Sequence, residues 1–179
     1  MLSHSVYVGG INNLSDARYS AGMFVDQIGI PVGGEFGLSE SKINEMLGWL
    51  SGVRIVGQLH AKPEFDVTQL PFDGFEVSSH DVFDWLASQV KAPIGWRTTV
   101  DQLAVVPAGV DFIVIENGKL SEIEAFPNAY WELNQELVDG KVWLQFPNMK
   151  IALQGGTEER PGFSNFGDLI EVLEALEVD

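Results

Sequence analysis

Eight residues able to bind or move protons recur near the ends of short apolar runs in this sequence: Gln58, His60, Glu76, Ser78, Arg97, Glu116, Glu132 and Gln154. A carboxyl group can serve as general acid or general base if its surroundings tune it to the task. Glu116 suits the acid role if burial raises its pKa, and Glu76 is the nearest candidate base. The competing reading of Glu116 is a strand-end side chain bonded to a loop. Arg97 is the only cation at the end of an apolar run. It can hold a substrate carboxylate or pair with Glu76 or Glu116, and pairing is the favoured reading because buried charges are usually paired. Gln58 and Gln154 are candidate ligand-binding amides. His60 and His80 have no ligand-like spacing, so no metal site is expected. Gly33-Gly34 matches no phosphate-binding loop and reads as a turn, and no cofactor is expected. Trp49, Trp85 and Trp143 are expected to fill core, while Trp96, beside Arg97, is expected to line the pocket.

These residues need a frame that brings strand ends together. Apolar, β-branched runs alternate with helical or turn-rich stretches throughout. The predicted strands cover 6–8, 25–30, 54–59, 74–78, 93–96, 111–115, 129–132 and 150–153. Continuous apolar runs of this kind suit parallel strands covered on both faces. Helices are predicted after Asn12 or Ser15, after Ser39, after Asp81 as a cap, after Thr99, and across 163–177. Strand alternating with helix predicts a parallel sheet with right-handed crossovers, and eight such units close as a (β/α)₈ barrel. At 179 residues the chain is short for that fold, which typically needs about 250. Several helices must therefore be shortened or missing, above all after strands three, six and seven. An open doubly wound sheet is the competing architecture. The length and the absence of a linker predict a single barrel domain over 1–179.

Composition narrows the partners. The formal charge is −16, from 26 acids against 10 bases, so nucleic acid and anionic membranes are not expected partners. Cysteine is absent, which removes disulfides and thiolate chemistry. There is no apolar run long enough to cross a membrane and no visible secretory signal. A cytoplasmic protein, monomeric or homodimeric, with a small-molecule ligand is the expectation.

Two segments carry a family resemblance. Val6-Tyr7-Val8-Gly9-Gly10-Ile11-Asn12-Asn13-Leu14-Ser15-Asp16-Ala17, continuing into Ala21 and Val25-Asp26-Gln27-Ile28-Gly29-Ile30, resembles the opening of phosphoribosylanthranilate isomerases, K-I-C-G-[IL]-T-x-x-x-D-A followed by A-x-x-G-A-D-x-[IL]-G-F. Leu153-Gln154-Gly155-Gly156-Thr157-Glu158-Glu159-Arg160-Pro161-Gly162 is similar to that family's V-S-S-G-V-E-x-x-P-G. Between them, Phe75–Ser79 falls on V-Q-L-H-G, and Ile113–Glu116 on the strand ending in L-L-D. The resemblance implies a TIM-type barrel and an Amadori rearrangement in tryptophan biosynthesis, an aldose–ketose isomerisation. It implies a cysteine base, an aspartate acid and a phosphate cradle of two backbone glycine pairs.

The same resemblance shows what has changed. The base falls on Gly9, which cannot accept a proton, and the acid falls on Glu116. The second glycine pair persists as Gly155-Gly156. The first falls on Trp131-Glu132, where tryptophan is expected to obstruct the anion and glutamate to repel it. The loop after strand two, 32–37, has no arginine for the anthranilate carboxylate. The family activity is therefore doubtful and would need a substitute base, for which Glu76 is the candidate. A barrel acting on another small carbonyl or sugar compound, phosphorylated or not, and a non-catalytic binding or assembly protein both stand as alternatives.

Overall fold

The computed structural model describes the backbone of residues 1–35, 37–156, 158–160, 163–164 and 167–178, and the side chains of 1–35, 37–156 and 169–178. Eight parallel strands close into a barrel in sequence order: β1 (Ser5–Gly9), β2 (Gln27–Pro31), β3 (Arg54–Leu59), β4 (Gly74–Val77), β5 (Ile94–Thr98), β6 (Phe112–Ile115), β7 (Tyr130–Glu132) and β8 (Lys150–Gln154). Closure runs between β1 and β8, with Ser5 opposite Lys150 and Gly9 opposite Gln154. The open sheet is thereby excluded. Beyond β8, Glu158–Arg160 and Phe163–Ser164 pair antiparallel.

The crossovers are uneven. Helices α1 (Leu14–Gly22), α2 (Glu40–Leu47) and α3 (His80–Ala87) follow β1, β2 and β4. Asn13 begins α1 by accepting from the Asp16 N–H, and Ser39 begins α2 by accepting from the Lys42 N–H. Each satisfies a donor that the first helical turn leaves without a partner. Asn13 takes the role expected of Asn12 or Ser15. Asp81 lies inside the first turn of α3, whose N-cap is Ser79, without a side-chain capping bond. After β3, β5 and β6 only 3₁₀ turns form, at Val67–Gln69, Val100–Val105 and Leu120–Ala125. The helix expected after Thr99 is thus a 3₁₀ turn, ended where Pro107 and Gly109 lead into β6. The β7 crossover is the short α4 (Gln135–Asp139) and a 3₁₀ turn at Val142–Leu144, and α5 (Gly167–Leu176) ends the chain.

Side chains alternate across each strand, and this parity sorts the core into two. The outward set packs under the helices, from Val6, Val8, Ile28 and Ile30 round to Ile151 and Leu153. The inward set fills the barrel. Its lower storey is Tyr7, Val56, Val114, Tyr130 and Ala152, with Phe112 packed against them. Gly95 gives Phe112 its place, because a Cβ at residue 95 would collide with that ring. Inward positions nearer the carboxyl ends carry the polar residues.

Candidate functional site at the barrel mouth

The parity that buries Tyr7, Val56 and Tyr130 repeats two residues later at Gly9, Gln58 and Glu132. Glu76, Arg97, Glu116 and Gln154 join them from the neighbouring strand ends. The structure brings these predicted residues together around one guanidinium. Arg97 Nε donates to Glu76 Oε1 at 2.8 Å, and Nη2 reaches Glu76 Oε2 at 3.4 Å. Nη1 donates to Glu132 Oε2 and lies 3.7 Å from Glu116 Oε2. The pairing expected of Arg97 thus involves Glu76 and Glu116, and Glu132 as well. Burial alone would lower the Arg97 pKa, but Glu76 and then Glu132 outweigh it and hold it above the ordinary arginine value.

Two amides lock the carboxylates in place. Gln58 Nε2 donates to Glu76 Oε1 at 2.9 Å, while Gln58 Oε1 accepts from the Gly10 N–H at 2.7 Å. Gln154 Nε2 donates to Glu132 Oε2 at 2.6 Å. Glu76 has only 2% of its side chain exposed, and both its oxygens are engaged. Glu116 is the opposite case. Its side chain is 37% exposed, so it is not the desolvated carboxyl that the general-acid role asks for.

The position of the resembling family's base is filled from the side. A Cβ added to Gly9 would stand 2.9 Å from Gln58 Nε2 and 3.4 Å from Arg97 Nη2. The amide and the guanidinium therefore use the space that a side chain at residue 9 would enter. At the end of β8, the Gly155 N–H donates to the Gly9 carbonyl at 2.7 Å, so that donor is committed within the protein. The matching Thr157, Glu158, Pro161 and Gly162 lie outside the described residues or side chains.

Two tryptophans depart from expectation for the same geometric reason. Trp131 follows the inward Tyr130, so its indole points outward, against Gly118, and donates to the Phe126 carbonyl at 3.3 Å. It obstructs nothing at the mouth, and Glu132 alone enters there. Trp96 precedes the inward Arg97 and packs outside the barrel, 6.2 Å from Phe83 and 5.1 Å from His80, ring centre to ring centre. It does not line the mouth. Trp143 is buried as expected, whereas Trp49 is 66% exposed and fills no core. His60 and Ser78 take no part in the Arg97 network.

Tyr7 and Asp16 are among the buried polar residues that the sequence pattern did not single out. Tyr7 is fully buried, and its hydroxyl forms no regular hydrogen bond although it lies beneath Glu76 and Gln58. Burial first, and then the Glu76 carboxylate, push its pKa well above the ordinary value. Its place two residues before Gly9 on one strand face was the signal available. Asp16 is also fully buried, with neither carboxylate oxygen hydrogen-bonded among the described residues. Its match to the aspartate of the family's opening pattern was the signal there.

No protein-family model matches the chain, and no curated protein sequence matches it. The fold has solved counterparts. A phosphoribosyl anthranilate isomerase in complex with reduced 1-(o-carboxyphenylamino)-1-deoxyribulose 5-phosphate is 16% identical, with a TM-score of 0.69 over 97% of this chain and 97% of that one. The isomerase from Thermotoga maritima is 16% identical over 98% of this chain and 100% of its own, with a TM-score of 0.69. That from Thermus thermophilus is 15% identical over 96% and 98%, with a TM-score of 0.68. The chain has the barrel fold of these enzymes over nearly its whole length. No helix among the described residues is long and apolar enough to cross a membrane.

Proposed function

We propose that this chain is a single-domain barrel of the phosphoribosylanthranilate isomerase type that does not carry out the isomerisation, and that its mouth holds a small uncharged sugar-like or carbonyl compound instead. The observation that carries this reading is the commitment of Arg97 to three carboxylates in the space where a base at residue 9 would project. The isomerisation requires a base for the C2 proton and an acid for the ring oxygen. Gly9 offers no base. Both oxygens of Glu76 are already engaged by Arg97 and Gln58.

Charge favours the same reading. Glu76, Glu116 and Glu132 around Arg97 leave the cluster at about −2, and the isomerase substrate brings both a carboxylate and a phosphate. Two like charges about 4 Å apart repel by about 4 kcal/mol at an effective dielectric near 20. Since about 1.4 kcal/mol is tenfold, one such contact removes micromolar affinity. A neutral hydroxylated compound avoids that cost and can donate to Glu116 and Glu132, which remain partly exposed.

Two measurements test the proposal. Consumption of phosphoribosylanthranilate, followed by fluorescence, should stay at the uncatalysed rate, and turnover of about 1 s⁻¹ or faster, ordinary for an enzyme, would overturn it. Saturation-transfer NMR should detect D-ribose at the mouth and not ribose 5-phosphate. Preference for the phosphate ester would equally overturn it.

A further inference from the structure

The outer wall of the barrel is incompletely covered on one side. In a (β/α)₈ barrel, the helix after each strand covers the outward face of the sheet. Here two consecutive crossovers, after β5 and β6, are six-residue 3₁₀ turns, Val100–Val105 and Leu120–Ala125. The effect on β6 is visible in its burial. Its outward residue Ile113 is only partly buried, whereas β4 is buried at all four positions.

Clefts flank the lone Leu120–Ala125 turn. One, of about 320 Å³, is walled by Leu103, Ile113, Ile115, Phe126 and Pro127. A second, also about 320 Å³, shares Pro127 and runs on to Ile123, Phe146 and Met149. Leu120, 38% exposed, borders a third that shares Phe146. The wall between Leu103 and Phe146 is thus a trough with an apolar floor and a polar edge at Lys119, Glu124 and Glu136.

We propose that this trough docks a basic amphipathic helix of another protein, seated where the barrel lacks its own helices. Helix-in-groove recognition reads apolar anchors at i, i+3, i+4 and i+7, and the paired clefts on either side of Pro127 suit successive anchors. Charge selects the occupant. Three acids line these clefts (Asp111, Glu124 and Glu136) against one base, Lys119. Each copy of the chain carries −16, so a second copy is disfavoured at this site and a lysine- or arginine-flanked helix is favoured.

The test uses the full chain and a fluorescein-labelled peptide of about 14 residues, made of leucine and lysine with the leucines at helix-anchor spacing. Fluorescence anisotropy at low salt should give a Kd of about 10 µM or tighter. Ala125 is an exposed lining residue, and Ala125→Arg should weaken binding at least about tenfold. Asn128→Arg, also exposed and in the lining, serves if that variant fails to fold. Trp49→Arg adds the same charge at an exposed position on the α2–β3 loop, outside the trough, and should change Kd by less than about twofold. Equal weakening by Trp49→Arg would reduce the binding to bulk charge and overturn the proposal. So would undiminished binding to Ala125→Arg, or comparable binding of a peptide with glutamate for lysine. Self-association of the wild-type chain in sedimentation that Ala125→Arg abolishes would replace the partner helix with a second copy. None of these outcomes depends on the ligand of the mouth.

Discussion

The two storeys inside the barrel are built by one alternation and held by different physics. The lower storey is aromatic: Tyr7, Phe112 and Tyr130 meet edge to face, with ring centres 5.9 to 6.4 Å apart, around Val56, Val114 and Ala152. Such contacts contribute through buried area and ring geometry. The upper storey is a guanidinium ringed by carboxylates and amides. Buried ion pairs often do no better for stability than apolar residues of the same volume, while removing one partner is strongly destabilising. The ionic storey is therefore the layer whose chemistry calls for a reason beyond folding, and it lies where the strand ends of such barrels carry function.

The largest effect that could break this contrast comes from Arg97. Arg97→Met should destabilise the chain by about 3–5 kcal/mol, because Glu76 is left buried without its cation. The double variant Arg97→Met/Glu76→Leu should recover most of that loss by extending the apolar floor upward. Urea unfolding measures both. A cost below about 1 kcal/mol for the single variant would mean that water reaches Glu76, and that the two storeys do not differ as described.

An intermediate effect belongs to Gly9. Gly9→Ala places a methyl group 2.9 Å from Gln58 Nε2. The amide must withdraw and surrender its bonds to the Gly10 N–H and to Glu76, a loss of about 1–2 kcal/mol. An unchanged unfolding midpoint would show that the upper storey has slack where the geometry has none. Gly9→Cys, which returns the resembling family's residue to this position, should not produce isomerase turnover while Glu76, Glu116 and Glu132 still surround Arg97.

The floor was more legible in the sequence than the storey above it. Strand β3 coincides with its apolar run at 54–59, and the other seven strands fall within a few residues of theirs, because continuous apolar segments between turn residues mark doubly covered parallel strands. The shortness of the chain likewise announced missing helices. The helix after Thr99 failed because a run containing Leu103 and Val106 satisfies helical spacing locally, and spacing does not reveal that Pro107 and Gly109 cut the element short. At the mouth, the residue types were readable: Arg97 was the lone cation among carboxylates. Adjacency to Arg97 misplaces Trp96, and the family resemblance, which sets Trp131 on a glycine of the phosphate cradle, misplaces Trp131. Strand parity decides the matter, since a neighbour of an inward residue points outward. The links made by Gln58 and Gln154 depend on side-chain reach across neighbouring strands, which no pattern along one chain encodes.

Tyr7 joins the two storeys, and it gives the smallest and sharpest test. Its ring belongs to the floor, while its hydroxyl lies under Glu76 and Gln58 without a regular hydrogen bond. At neutral pH, Tyr7→Phe should change stability by less than about 1 kcal/mol, since the deleted hydroxyl makes no regular hydrogen bond. A loss above about 1.5 kcal/mol would show that it is bonded to Glu76 and belongs energetically to the ionic layer. Alkaline pH separates the two cases further. The Tyr7 pKa is raised on folding from its ordinary 10.0, so the native state keeps its proton after the unfolded chain has released it. Its contribution is complete below pH 10 and declines as pH rises from there toward the folded pKa. Tyr19, also raised by burial and by Glu174 and Glu177, adds a smaller slope of the same sign. Urea midpoints compared at about pH 8 and about pH 10.5 should therefore fall less in Tyr7→Phe than in the wild type. Equal declines would place the Tyr7 hydroxyl in contact with water, and the floor would no longer be the dry layer that distinguishes it from the mouth.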